Sequence, residues 1–183
     1  MKESYLDIVI RKLRERKIID LVPDKSIICD LGCGSGKFLY PIAHNIKEGV
    51  GVDREIKQSK LANLTFIKAD LEKKIKLPSD KFDIVTCLAV LEHLNNPESL
   101  IKEAYRILRK NRKLIITTPS KLSKPILEFL AKLNLINKQH IKEHKNYFSK
   151  EDLRKMLNKA GFKDIKINSF EFGMNNLIIA RKV

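Results

Sequence analysis

Two rhythms of apolar residues alternate along this chain. Leu6, Val9, Ile10 and Leu13 recur at helical spacing with Arg11, Lys12, Arg14, Glu15 and Arg16 on the remaining positions, so residues 1–22 open with an amphipathic helix that Pro23 ends. Short, nearly continuous apolar runs at 26–30, 49–53, 65–69, 82–87 and 114–118 then predict buried strands. Between them the spacing becomes helical again: 38–46 through Phe38, Leu39, Ile42, Ala43 and Ile46, then 54–61 with Asp53 as a candidate cap. A third such helix opens at Asn96 and Pro97, buries Leu100, Ala104, Ile107 and Leu108, and leaves through the basic residues 109–113. Later, Ser149 and Asp152 form a capping box, Phe148 and Leu153 a hydrophobic staple, and Gly161 a stop. Two last strands, 165–170 and 177–180, are joined by residues 171–176 alone. No helical crossover fits there, so they pair antiparallel. Strand and helix in alternation define an α/β domain.

The chemistry concentrates in Asp30-Leu31-Gly32-Cys33-Gly34-Ser35-Gly36-Lys37, between the first strand and its helix. Glycines at a tight turn let a ligand approach bare backbone. A dinucleotide fingerprint would read G-x-G-x-x-G, but here the third glycine comes one residue early and Lys37 takes its place; a P-loop would need four residues between its glycines. Asp30 also repels phosphate, while it suits a ligand carrying ammonium or sulfonium charge. The second strand ends in Asp53, 17 positions beyond Gly36 and near the spacing at which a βαβ unit brings an acid to a ribose. Asp70 ends the third strand, and the fourth runs into Leu88-Ala89-Val90-Leu91-Glu92-His93-Leu94. In an open parallel sheet these carboxyl ends converge on one crevice.

At these residues the chain resembles the class I S-adenosylmethionine-dependent methyltransferases. Their first motif, acid-x-G-x-G-x-G, is met by Asp30 to Gly36, and F-D-I-V at 82–85 followed by L-E-H-L at 91–94 resembles the broad small-molecule, methyltransferase type 11-like branch. The likeness covers residues 24–183. It implies a Rossmann-like, doubly wound sheet of seven strands, mostly parallel with an antiparallel last strand, and helices on both faces. It also implies S-adenosylmethionine as methyl donor, S-adenosylhomocysteine as product, and in-line displacement at the sulfonium methyl. Gly32, Gly34 and Gly36 would then hold the methionine portion with Asp30 behind them, Asp53 the ribose, Asp70 and Leu71 the adenine, and Leu88 the methyl region, with Cys33 and Arg54 also in the cofactor-binding set. The Asn/Asp-Pro-Pro-aromatic loop of amino-methylating nucleic-acid enzymes is replaced by Cys87-Leu88-Ala89-Val90. Cys87 reads as a packed thiol rather than a nucleophile.

Residues 120–148 break the strand and helix alternation, and such an insertion is where the resembled family builds a substrate lid. Ile126, Leu127, Phe129, Leu130, Leu133 and Leu135, studded with Lys121, Lys124, Lys132 and Lys138, suit a small or lipid-like acceptor, peripheral membrane contact, or packing on the sheet edge. His93 and His144 are the candidate catalytic bases, with Tyr147 beside the same pocket. His140 and His144 stand four apart, but the sequence shows no third ligand, so no metal site is expected.

Composition bounds these readings without changing them. A chain of 183 residues suits one domain, and its three cysteines form no C-x-x-C pair, so reduced thiols are expected. Neither an apolar span of ~20 residues nor a signal-peptide core is evident, which places the protein in the cytoplasm. Oligomeric state leaves no mark. The net charge is +15, with 17 basic against 13 acidic residues in 1–91 and 20 against 9 in 92–183. That excess motivates an RNA methyltransferase as the alternative function. A noncatalytic cofactor-binding module of methyltransferase type is the other.

Overall fold

The computed structural model describes residues 5–133, 135 and 143–183. Helix α1 (Tyr5–Ile19) precedes strand β1 (Ile27–Leu31), the short helix α2 (Leu39–Ile42) and strands β2 (Glu48–Asp53), β3 (Ser59–Leu61), β4 (Leu64–Lys68) and β5 (Phe82–Leu88). A 3-10 turn (Leu91–His93) leads to α3 (Pro97–Ile107), β6 (Leu108–Pro119), α4 (Ser123–Lys132), α5 (Lys150–Lys159), β7 (Phe162–Phe170) and β8 (Asn175–Lys182). The sheet order is β3-β4-β2-β1-β5-β6-β8-β7. Strands β4, β2, β1, β5 and β6 run parallel, and β8 lies antiparallel between β6 and β7.

The expected sheet of six parallel strands and one antiparallel strand is thus present, with an addition. Residues 54–61 do not form the expected helix. Asp53 accepts a hydrogen bond from the Glu55 amide in a tight turn, and the chain runs on into β3, an eighth strand antiparallel to β4. Ile56 and Leu61 are five apart, so the segment has no apolar stripe to bury as a helix. The Asn63 amide, donating to the Ala43 and Ile46 carbonyls at 2.8 and 2.9 Å, pins the return into β4. The helix expected over 38–46 shrinks to α2, because Pro41 brings no amide hydrogen to its interior. The basic run 109–113 opens β6 instead of leaving α3. There Asn111 takes a positive φ of 62°, the register with β5 shifts, and Arg109 and Arg112 each reach Asp83 at 3.1 Å.

Alternation along the strands divides the apolar residues between two cores. Cys29, Leu31, Val85, Cys87, Leu114 and Ile116 face α3 and α5, which contribute Leu100, Ile101, Ala104, Leu153 and Leu157. Ile28, Ile84, Ile115 and Leu177 face the other way, toward Ile18 of α1 and toward Phe38, Leu39 and Ile42. Helices therefore cover both faces of the sheet. Both forecast caps are formed: Asn96 accepts from the Ser99 amide with Pro97 at the first position, and Ser149 and Asp152 exchange their bonds at 3.1 and 2.9 Å. Among the described residues, no helix is long and apolar enough to cross a membrane.

Candidate active site

The glycine turn grows directly out of β1 and is held by β2. The Gly32 and Cys33 amides donate to the Val52 carbonyl at 2.8 and 3.2 Å. Gly32 has φ +83°, and a Cβ there would stand 2.2 Å from a Val90 methyl carbon, so backbone handedness and crowding both require glycine. Gly34, at φ +52°, differs: nothing lies within 4 Å of where its Cβ would be. The main chain at Gly34 is therefore open on that side.

Asp53 closes one side of this opening. Its carboxylate accepts from the Gly34 amide and the Glu55 amide, both at 2.9 Å, and its lone pairs are not exhausted by two bonds. Asp30 lies under the turn with 2% of its surface exposed and accepts from the Thr86 hydroxyl at 2.6 Å. Burial pushes its carboxyl up to about 7, against the opposing effect of the Thr86 bond. Asp70 is exposed at the end of β4, where it accepts from the Glu72 amide at 3.0 Å and lies 3.6 Å from Lys73. Leu71 and Leu88 are half-buried.

Two further residues of the expected set, Cys33 and Arg54, direct their side chains into the core and out to the surface respectively. The Cys33 thiol is buried and points into the core, where burial raises its pKa well above the usual range; only its main chain belongs to the turn. The guanidinium of Arg54 lies at the surface, 3.5 Å from Glu55. Cys87 is buried, and burial raises its thiol pKa, as a packed cysteine requires.

After β5, side chains from distant parts of the chain come together. The His93 and His144 rings meet edge to face at 4.9 Å between centroids. Nδ1 of His93 lies 3.2 Å from the Glu143 carbonyl, and Nδ1 of His144 lies 3.1 Å from the Tyr147 hydroxyl. The Glu92 carbonyl accepts from the Lys145 and Asn146 amides at 2.8 and 3.1 Å, which ties this segment to the turn after β5. The Glu92 side chain is 1% exposed, accepts from the Thr118 hydroxyl at 3.2 Å, and is pushed up to about 7 by burial. One donor atom each from Glu92, His93 and His144 lies within 4.8 Å of the others, near enough for one shared proton path or one cation. The His140 and His144 pairing considered from sequence involves His140, which lies outside the described residues.

Sequence reasoning passed over Thr86, Thr118 and Glu92. Each is a polar residue inside an otherwise apolar strand or turn, and that interruption was the available signal.

A glycine turn after β1, acids at the ends of β2 and β4, and a crevice where the strand order reverses between β1 and β5 define an α/β domain built to hold a nucleoside-like ligand. Comparison with known proteins narrows this class. The family model described as "Methyltransferase domain" matches residues 5–167, and the chain belongs to that family. An uncharacterized protein of Methanocaldococcus jannaschii is 36% identical over 141 residues, covering 75% of this chain and 64% of its own length. The chain thus spans just under two thirds of that relative. A ubiquinone biosynthesis O-methyltransferase of Idiomarina loihiensis is 24% identical over 173 residues, covering 85% of this chain and 69% of its own. Among solved structures, a SAM-dependent methyltransferase of Thermotoga maritima, described as a possible histamine N-methyltransferase, shares the fold. Its TM-score is 0.72 at 21% identity, over 94% of this chain and 89% of that one.

Proposed function

We propose that this protein is an S-adenosylmethionine-dependent methyltransferase acting on a small or lipid-like acceptor. The observation that carries the reading is the Asp53 carboxylate, bridged by the Gly34 and Glu55 amides beside an open glycine turn, with buried Asp30 and Thr86 beneath. An acid preoriented by two amides at a strand end suits two vicinal hydroxyls, and Asp30 suits an ammonium group. Membership in the methyltransferase family and the S-adenosylmethionine dependence of the Thermotoga maritima neighbour support the same cofactor.

When bound, S-adenosylmethionine supplies an electrophilic methyl group on a sulfonium, whose displacement leaves a neutral thioether. The protein therefore has no leaving group to protonate, and its work is placement and exclusion of water. In this reading the glycine turn and Asp30 hold the methionine portion, Asp53 the ribose, and Asp70 with Leu71 the adenine, while Leu88 flanks the transferred carbon. His93 and His144 stand across the crevice as candidate acceptors of the acceptor's proton. Tyr147 orients the His144 ring, and Glu92 holds the segment that carries it. A hydroxyl acceptor accords with this arrangement and with the relatives that are O-methyltransferases.

Isothermal titration with S-adenosylmethionine, S-adenosylhomocysteine and NAD tests the assignment. Both adenosyl ligands bind and NAD does not. Asp53→Ala weakens binding by at least ~1.5 kcal/mol, the scale of lost charge-assisted hydrogen bonds. Equal affinity in the variant removes Asp53 from the site, and binding of NAD alone replaces the cofactor.

A further inference from the structure

Helix α4 carries an exposed apolar surface beside the proposed site. Leu122, Ile126, Phe129 and Leu133 follow one another at i, i+4, i+7 and i+11 along α4, which puts them on a single stripe. All four are exposed, Leu122 at 77% and Phe129 at 60%, whereas Ser123 and Ala131, off this line, are buried and Leu127 and Leu130 half-buried. The stripe is therefore not the face by which the helix holds to the domain.

A second element adds to it. Phe172, at the tip of the turn between β7 and β8, is fully exposed, and both it and Glu171 adopt positive φ, 55° and 51°. That turn is tied to the start of the α4 segment: the Ser120 amide donates to the Met174 carbonyl at 2.8 Å and its hydroxyl to the Gly173 carbonyl at 2.7 Å. Strands β6 and β7 point the same way, so Ser120 and Phe172 both stand at the end of the sheet that carries the glycine turn. The Lys124 ammonium lies 5.9 Å from the ring centre of Tyr147, which places the helix against the His144 side of the crevice.

Charge selects the occupant. Lys132 flanks the stripe, Lys121 lies at its start and also bridges Asp152 at 2.9 Å, Lys124 lies on the reverse side over Tyr147, Glu128 is the one acid in α4, and the chain as a whole carries +15. A second copy of this chain would bring these lysines against their own counterparts. A bilayer with anionic headgroups meets both features, since apolar side chains enter the interface while lysines remain at headgroup level. We propose that the α4 stripe and Phe172 form a docking surface for an anionic membrane, holding the mouth of the crevice at the lipid interface.

Flotation of the whole protein with phosphatidylcholine vesicles, with and without phosphatidylglycerol, tests this without cofactor or acceptor, so the outcome is separate from that for methyl transfer. The protein floats with the phosphatidylglycerol vesicles and is released by salt. Phe129→Ser with Phe172→Ser, both at exposed positions, weakens partitioning at least about tenfold at an unchanged melting temperature. Lys124→Glu with Lys132→Glu gives a loss of about tenfold or more on the same vesicles and provides a second variant should the first not fold. No flotation with either vesicle, or flotation that neither variant alters, overturns the proposal. So does a wild-type dimer in light scattering that the double Phe variant converts to monomer without any vesicle binding.

Discussion

The two sides of the crevice are built from different materials. On the donor side the main chain does most of the holding: the Val52 carbonyl takes the Gly32 and Cys33 amides, and the Gly34 and Glu55 amides take Asp53. On the proposed acceptor side, His93, His144, Tyr147 and Glu92 come together from segments some fifty residues apart. A site made of backbone fixes the shape of one ligand and tolerates few substitutions. A site made of side chains on a crossing segment can be altered without disturbing the sheet, and that is where a change of acceptor costs least.

Substitutions within the turn test the first half of this contrast. Gly32→Ala forces a methyl to 2.2 Å from the Val90 side chain at φ +83°. It lowers stability by ~3 kcal/mol and abolishes adenosyl-ligand binding, read by chemical denaturation and calorimetry. A loss below ~1 kcal/mol would show that the turn relaxes as a side-chain site does. Across the crevice, His93→Gln lowers turnover ~100-fold while leaving cofactor affinity unchanged, as loss of a general base predicts. Parallel loss of cofactor binding would mean that the two sides are one unit.

The buried acids give the comparison a pH axis. Asp30, at about 7 in the folded protein, binds a proton over a range where the unfolded chain, near 4, has lost it. The stabilisation from protonated Asp30 is full below about pH 4 and disappears as pH rises through about 7. Ligand-free wild type therefore loses melting temperature relative to Asp30→Asn across that window, and a constant difference would remove the buried charge as its cause. Smallest is Gly34→Ala, which meets open space at φ +52° and costs ~1 kcal/mol of stability. Its effect on cofactor affinity should exceed that on folding, as the proposed placement of the cofactor over that open space requires.

The meeting of the glycine turn with Asp53 was legible because its determinants are local. Asp30, Gly32 and Gly34 lie within one turn, and Asp53 follows at the spacing of one strand-to-strand connection. Strand periodicity also gave the parallel sheet and the antiparallel β8. Where the reading missed, a short segment had too little apolar surface to decide its own state. Residues 54–61 became a turn and β3, and 38–46 kept only α2 around Pro41. Cys33 and Arg54 belong to the expected set by motif position; the Cys33 thiol faces the core and the Arg54 guanidinium the surface. Glu92 was hidden for the opposite reason. Its partners, Thr118 and the amides of Lys145 and Asn146, come from β6 and from the segment before α5, and no local spacing announces them.

The place of β8 has a consequence for how the domain comes into being. It is the last strand in the chain, yet it sits between β6 and β7 and pairs with both. During synthesis, β1, β2, β4, β5 and β6 can associate in order as they leave the ribosome. Throughout that time β6 presents an unsatisfied edge, and β7 has no neighbour in the sheet. Only when residues 175–182 arrive do the two join. A nascent chain halted earlier holds its glycine turn and Asp53 but lacks a closed sheet, and its open β6 edge is the part most in need of a chaperone.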